Sequence, residues 1–142
     1  MSLGEWLQML NSRVFFWATE ERLMGLLEGR MYRDRAHEVI TVDCRALVEH
    51  HGDRVFLCPI NSGATIYNAR PRGSQTFQPI REYPFEERRK ARGKRNAVVE
   101  VAVQYGIPEV DDIVVKVERR RGASIEEVIW DRGYAEDSDD VR

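Results

Sequence analysis

Cysteine, histidine and long apolar runs are all scarce in this sequence, and each shortage narrows the field. The two cysteines, Cys44 and Cys58, stand far apart, with no Cys or His neighbour at zinc-ligand spacing. They point to reduced thiols of a cytoplasmic protein and argue against a structural metal. The histidines are one isolated residue, His37, and an adjacent pair, His50 and His51. Neighbours on a helix point about 100° apart, so the pair is a poor chelate. No apolar run approaches the roughly 18 residues of a membrane span. The start, MSLGEWLQML, lacks the basic segment and long apolar stretch of a secretory signal. Charge of one sign is also lacking: the net charge of -2 gives no bulk attraction to nucleic acid or membrane.

What is present is an ordinary globular mixture of 42% hydrophobic and 32% charged residues in 142 positions. That predicts one domain over residues 1–134 with a single core, followed by an acidic tail, 135–142, that frays. No internal repeat is visible.

Periodicity places a short amphipathic helix at Leu3–Leu10 and a strand at Arg13–Trp17. Thr19 reads as an N-cap with Glu20 and Glu21 in the first turn behind it, and Gly29 as a stop. Val39–Val42 reads as a strand, Asp43 as the cap of a helix from Cys44 to His51, and Arg54–Leu57 as a returning strand. Together these predict a small crossover unit. Pro59–Pro84 then holds four of the five prolines and little periodicity, the signature of a long ordered loop. Arg81–Arg95 carries five arginines and two lysines against three glutamates, with Pro84 and Gly93 bounding a basic helix. Strands are expected at Ala97–Val103 and Ile113–Glu118. Ser124 with Glu127 fits a capping box, and Glu126–Trp130 fits an edge strand equally well.

The most informative run is NAVVEVAVQYGIP, residues 96–108, where one acid interrupts a valine strand. An ionised carboxylate buried without a partner is costly. Strand parity sets Val99, Val101 and Val103 on one face and Glu100 with Val98, Ala102 and Gln104 on the other. Glu100 is then either the centre of a small, partly polar cleft floor or a surface acid paired with an arginine on a half-exposed face.

Residues 97–115, AVVEVAVQYGIPEVDDIVV, resemble the closing motif of DarT-like ADP-ribosyltransferases: a strand glutamate, a Val/Ile-Pro turn and a further strand. Aligning Pro108 with that turn places Glu100 on the family's catalytic glutamate. Most of residues 5–120 also resemble the C-terminal part of an uncharacterised bacterial family that shares LNSRVFFW and the PINSGAT loop. The resemblance implies an α+β fold with a split antiparallel or mixed sheet and short flanking helices. It implies NAD as substrate, no metal, and a nucleic acid or protein acceptor, or else a catalytically inactive relative that acts as an interaction or regulatory domain. In the DarT-like group an upstream segment carries a histidine that binds the adenosine side of NAD. This chain begins almost directly at LNSRVFFW, which implies a partial fold without that segment.

The same resemblance makes Arg13, Phe16 and Trp17 the nearest matches to the nicotinamide-pocket strand: an aromatic face for stacking and a guanidinium for the pyrophosphate. Clustered aromatics are also ordinary core. Asn61, Ser62 and Thr65 around Gly63 offer donors to a phosphate or an acceptor, or make a turn that satisfies itself. Arg88 and Arg89 can contact phosphates of a nucleic acid, or belong to a solvated helix face.

Overall fold

The computed structural model describes residues 1–64 and 72–133, so Thr65 and the 135–142 tail lie outside the described residues. The chain is α+β, and its described strands form two separate sheets in which every pairing is antiparallel. Its contacts divide it into two compact units, one of Met1–Thr19 with His51–Pro108 and one of Glu20–His50 with Glu109–Arg142.

The first unit opens with α1, Leu3–Asn11, which starts at a capping box: the Glu5 amide donates to Ser2 Oγ and the Ser2 amide to Glu5 Oε2. The strand β1, Arg13–Trp17, has the predicted bounds. It lies beside β5, Glu100–Gln104, which pairs on its other side with β3, Val55–Cys58. A two-residue strand, β4 (Gln78–Pro79), completes the order β1-β5-β3-β4. The basic helix α4, Phe85–Arg92, follows Pro84 and ends at Gly93, whose φ of 80° is a backbone state that a side chain resists. Cys58, Phe77 and Ala102 form a buried cluster in this unit, packed by Trp6, Met9 and Leu10 of α1 together with Phe56 and Ile60.

The second unit holds α2 (Glu20–Leu27), β2 (Ala36–Val42), α3 (Cys44–His51, its last residue counted with the first unit), β6 (Val114–Arg121) and β7 (Ser124–Asp131), with sheet order β2-β6-β7. Asp43 does cap α3, its Oδ1 accepting from the Ala46 amide at 3.1 Å. Of the two readings of Ser124–Trp130, the edge strand is the one present. Two register shifts against β6 interrupt β7, the kind of irregularity that discourages a strand edge from pairing with another chain.

One face of β6 is unusual. Glu118 and Arg120 are both buried, and Arg120 Nη2 donates to Glu118 Oε1 at 2.9 Å. Lys116 Nζ reaches the same oxygen at 3.3 Å, and Arg120 Nη1 reaches Glu20 of α2 at 3.4 Å. An ion network takes core volume that aliphatic side chains usually fill.

Two expectations fail here. The strand-helix-strand run is no crossover unit, because β2 pairs with β6 while β3 pairs with β5 in the other sheet. The strand expected from Ala97 begins only at Glu100, because a 3-10 turn at Lys94–Asn96 leaves Ala97 in a helical conformation. At the other end of β5, Tyr105 takes a φ of 72° in a residue that is 76% exposed. A left-handed conformation costs a non-glycine residue roughly 1–2 kcal/mol, and asparagine tolerates it better. Tyr105→Asn is therefore expected to stabilise the chain by about 1 kcal/mol, read as a raised midpoint in thermal unfolding.

Candidate functional site

Glu100 is the first residue of β5, an inner strand of its sheet, with Trp17 of β1 and Cys58 of β3 as its cross-strand partners. Its side chain is neither on a half-exposed face nor at the centre of an open floor. It is 5% exposed, and Val99 and Val101–Val103 around it are buried as well, so both faces of β5 are covered. Farther along the face that Glu100 shares with Ala102, the covering groups are α1 and Phe77.

The carboxylate is met by the turn that follows β3. The Ser62 amide donates to Oε1 at 3.0 Å and the Ser62 hydroxyl to Oε2 at 2.8 Å, with both residues buried. Within the turn, the Gly63 amide donates to Asn61 Oδ1 and the Ala64 amide to the Asn61 carbonyl. Arg72 closes it from the far side of the loop: Nε donates to the Ser62 carbonyl at 3.0 Å, and Nη2 donates to the carbonyls of Asn61 and Ala64. Arg92 of α4 donates to the Pro59 carbonyl at the entrance to this turn.

Burial raises the Glu100 pKa above the ordinary carboxylate value, and the two Ser62 hydrogen bonds and the nearby Arg72 charge offset only part of that rise. Burial also pushes the neighbouring Cys58 thiol up to about 11, which leaves it a poor nucleophile at neutral pH. For stability the sign is fixed. The folded state binds the Glu100 proton more tightly than the unfolded chain does. The Glu100 contribution therefore falls as pH rises from the ordinary glutamate value through the higher folded one.

The register sorts the three residues expected on the nicotinamide strand. Trp17 sits opposite Glu100 and shares its face. Phe16 sits opposite Val101 and belongs to the other face, so parity separates it from the carboxylate. Arg13 shares the Glu100 face four residues away from Trp17, but its guanidinium is already engaged. It lies 5.1 Å from the Phe56 ring centre and 4.9 Å from that of Phe77, and its Nη1 donates to the Met9 carbonyl at 2.7 Å. Burial there lowers its pKa, with partial compensation from Tyr105. Arg13 is thus a half-buried cation packed against two aromatic rings.

Of the loop residues, Ser62 is brought directly onto Glu100, and Asn61 shapes the turn from an exposed position. On α4, Arg88 lies over the Tyr83 ring at 5.7 Å. Arg89 forms an ion pair with Glu86 at 2.8 Å that is exposed and so weak. Among the described residues, no group of three or more His, Cys, Asp and Glu stands together as a metal cage. None of their helices is long and apolar enough to cross a membrane. The residue that sequence reasoning overlooked is Arg72. The only signal for it is a charged residue in a proline- and glycine-rich loop, and its partners are backbone carbonyls that no side-chain pattern reveals.

The model of a family of unknown function, DUF7002, matches residues 1–114, and the chain belongs to that family. The match contains the whole of β1, β3, β5 and the Ser62 turn, and it ends at the first residue of β6. No curated protein and no solved structure matches the chain.

Proposed function

We propose that this chain is an ADP-ribosyltransferase-like protein that uses NAD as substrate, with Glu100 as its catalytic carboxylate and a nucleic acid or a protein as acceptor. The observation that carries this reading is the placement of one buried acid at the start of an inner strand, cross-strand from an aromatic residue. A carboxylate can accept about four hydrogen bonds. Ser62 supplies two donors, so the carboxylate keeps unused acceptor capacity.

The chemistry asked of the site is a single displacement. The bond between nicotinamide and C1′ of the ribose breaks with its electron pair leaving on nicotinamide, and C1′ becomes oxocarbenium-like. A nucleophile of the acceptor bonds to C1′ and its proton passes to Glu100. The carboxylate stabilises the positive charge on the sugar and receives that proton. Trp17 offers a ring face to the nicotinamide. The exposed, weakly paired Arg89 is open to an anionic acceptor. Arg13 and Phe16 have no part in this scheme.

Because burial raises the Glu100 pKa, the acid limb of the pH–rate profile should lie above the usual glutamate range, with activity rising as the carboxyl ionises. A profile flat down to the ordinary glutamate value would remove Glu100 as the base. The reading as a whole is tested by incubating the protein with NAD labelled in its ADP-ribose part, alone and with single-stranded nucleic acid or protein extract. Nicotinamide release or label transfer is expected, and its complete absence would overturn the enzyme.

A second reading has one specific observation in its favour. Both oxygens of Glu100 already accept from Ser62 and the group is nearly inaccessible, which suits a relative that keeps the carboxylate to anchor a loop. In that protein Glu100→Gln changes stability and leaves no activity to lose.

A further inference from the structure

We propose that Ser62 is the positioning residue of Glu100, and that Arg72 fixes Ser62 for that task. One residue meets both oxygens of the carboxylate, the amide holding Oε1 and the hydroxyl holding Oε2. Two bonds to two oxygens set the plane of the carboxylate as well as its direction, which a single donor cannot do. Glutamate has three side-chain torsions, and a site on a rigid strand is only as well defined as the groups that lock them. The grip closes across 38 positions of chain.

The grip is exact only if the turn is. Ser62 and Glu100 are 3% and 5% exposed, so water does not compete for these bonds, and an error in the turn would leave a buried acid short of donors. Arg72 addresses this directly. Its guanidinium binds the carbonyls of Asn61, Ser62 and Ala64, the outward side of the same turn whose Ser62 amide points inward to Glu100. A planar fork suits several carbonyls at once, whereas a lysine ammonium carries the charge without that geometry. Its consequence for turnover rests on the ADP-ribosyl reading, but the placement itself does not.

The test is titration of the Glu100 carboxyl by carbon-detected NMR on glutamate-labelled protein, its signal assigned by loss in Glu100→Gln. In the wild type the Ser62 amide shift should follow the same midpoint as the carboxyl. This measurement needs no altered protein, and an amide indifferent to that titration would refute the contact. In Ser62→Ala the midpoint should rise by about one unit or more, because a donor to the charged form is lost. Ser62→Thr should restore it, and Arg72→Lys should raise it although the charge is kept. An unchanged midpoint in folded Ser62→Ala, or a Thr variant that behaves like Ala, would overturn the proposal. Should the wild type release no nicotinamide, the transferase reading falls while these titrations still decide the role of Ser62. Should it turn NAD over, Ser62→Ala is expected to lower kcat at least tenfold with little change in KM, and an unaltered kcat would count against positioning.

Discussion

Under the transferase proposal, Glu100→Gln is expected to reduce ADP-ribosyl transfer roughly 10³-fold, the scale of losing a general base together with an electrostatic stabiliser. The fold should survive. Glutamine keeps the shape and one carbonyl oxygen, so it can accept one of the two Ser62 donors. It also removes a charge whose burial is unfavourable, as the raised pKa indicates. Activity and stability therefore separate: kcat collapses while the unfolding midpoint holds or rises. Steady-state kinetics and denaturant unfolding on one preparation check both parts. A variant that is active at the wild-type rate would contradict the assignment.

The largest effect on stability is expected in the ion network of β6. Arg120→Ala takes from Glu118, 2% exposed in the wild type, its buried cation partner and leaves the partly exposed Lys116 as the other one among the described residues. Breaking a buried pair from one side typically costs about 3–5 kcal/mol, a large share of a small protein's stability. Replacing Glu118 and Arg120 together by Leu and Met should recover most of that loss, since an apolar pair needs no compensation for lost hydration. Denaturant titration distinguishes the two variants. A small loss in Arg120→Ala would mean that the network contributes little. The network also fixes a pH dependence. Burial opposes ionisation of Glu118, but hydrogen bonds from Arg120 and Lys116 outweigh it and hold the carboxyl below its ordinary value. This contribution is present above the ordinary glutamate pKa and is lost as pH falls through the lower folded one.

The parts of the fold legible in the sequence are those that local chemistry decides. Asp43 ahead of α3, Pro84 and Gly93 around α4, and the compact aromatic run of β1 all act within a few residues, and all three elements lie where expected. Pairing between distant strands is not local. Nothing in Val39–Leu57 says that β2 will choose β6 and β3 will choose β5, so the expected crossover was an artefact of order along the chain. The start of β5 was obscured by composition. Ala97–Val99 has strand-forming residues, but the turn after Gly93 takes precedence and moves the strand's first residue to Glu100. The site was half legible. Glu100 and Ser62 each stand out, one as an acid among valines and one as a donor beside glycine. Their contact depends on a register that only the folded sheet supplies. The same register separates Phe16 from the carboxylate and retains Trp17, a distinction that a cluster of aromatics in sequence cannot make.

The most direct test of the central claim is a titration of the wild-type protein with NAD, followed at the Glu100 carboxyl and the Ser62 amide. Saturable shifts at both signals are predicted, absent when NAD is replaced by free adenosine and weakened in Trp17→Ala. Unmoved Glu100 and Ser62 signals at millimolar NAD would contradict the account.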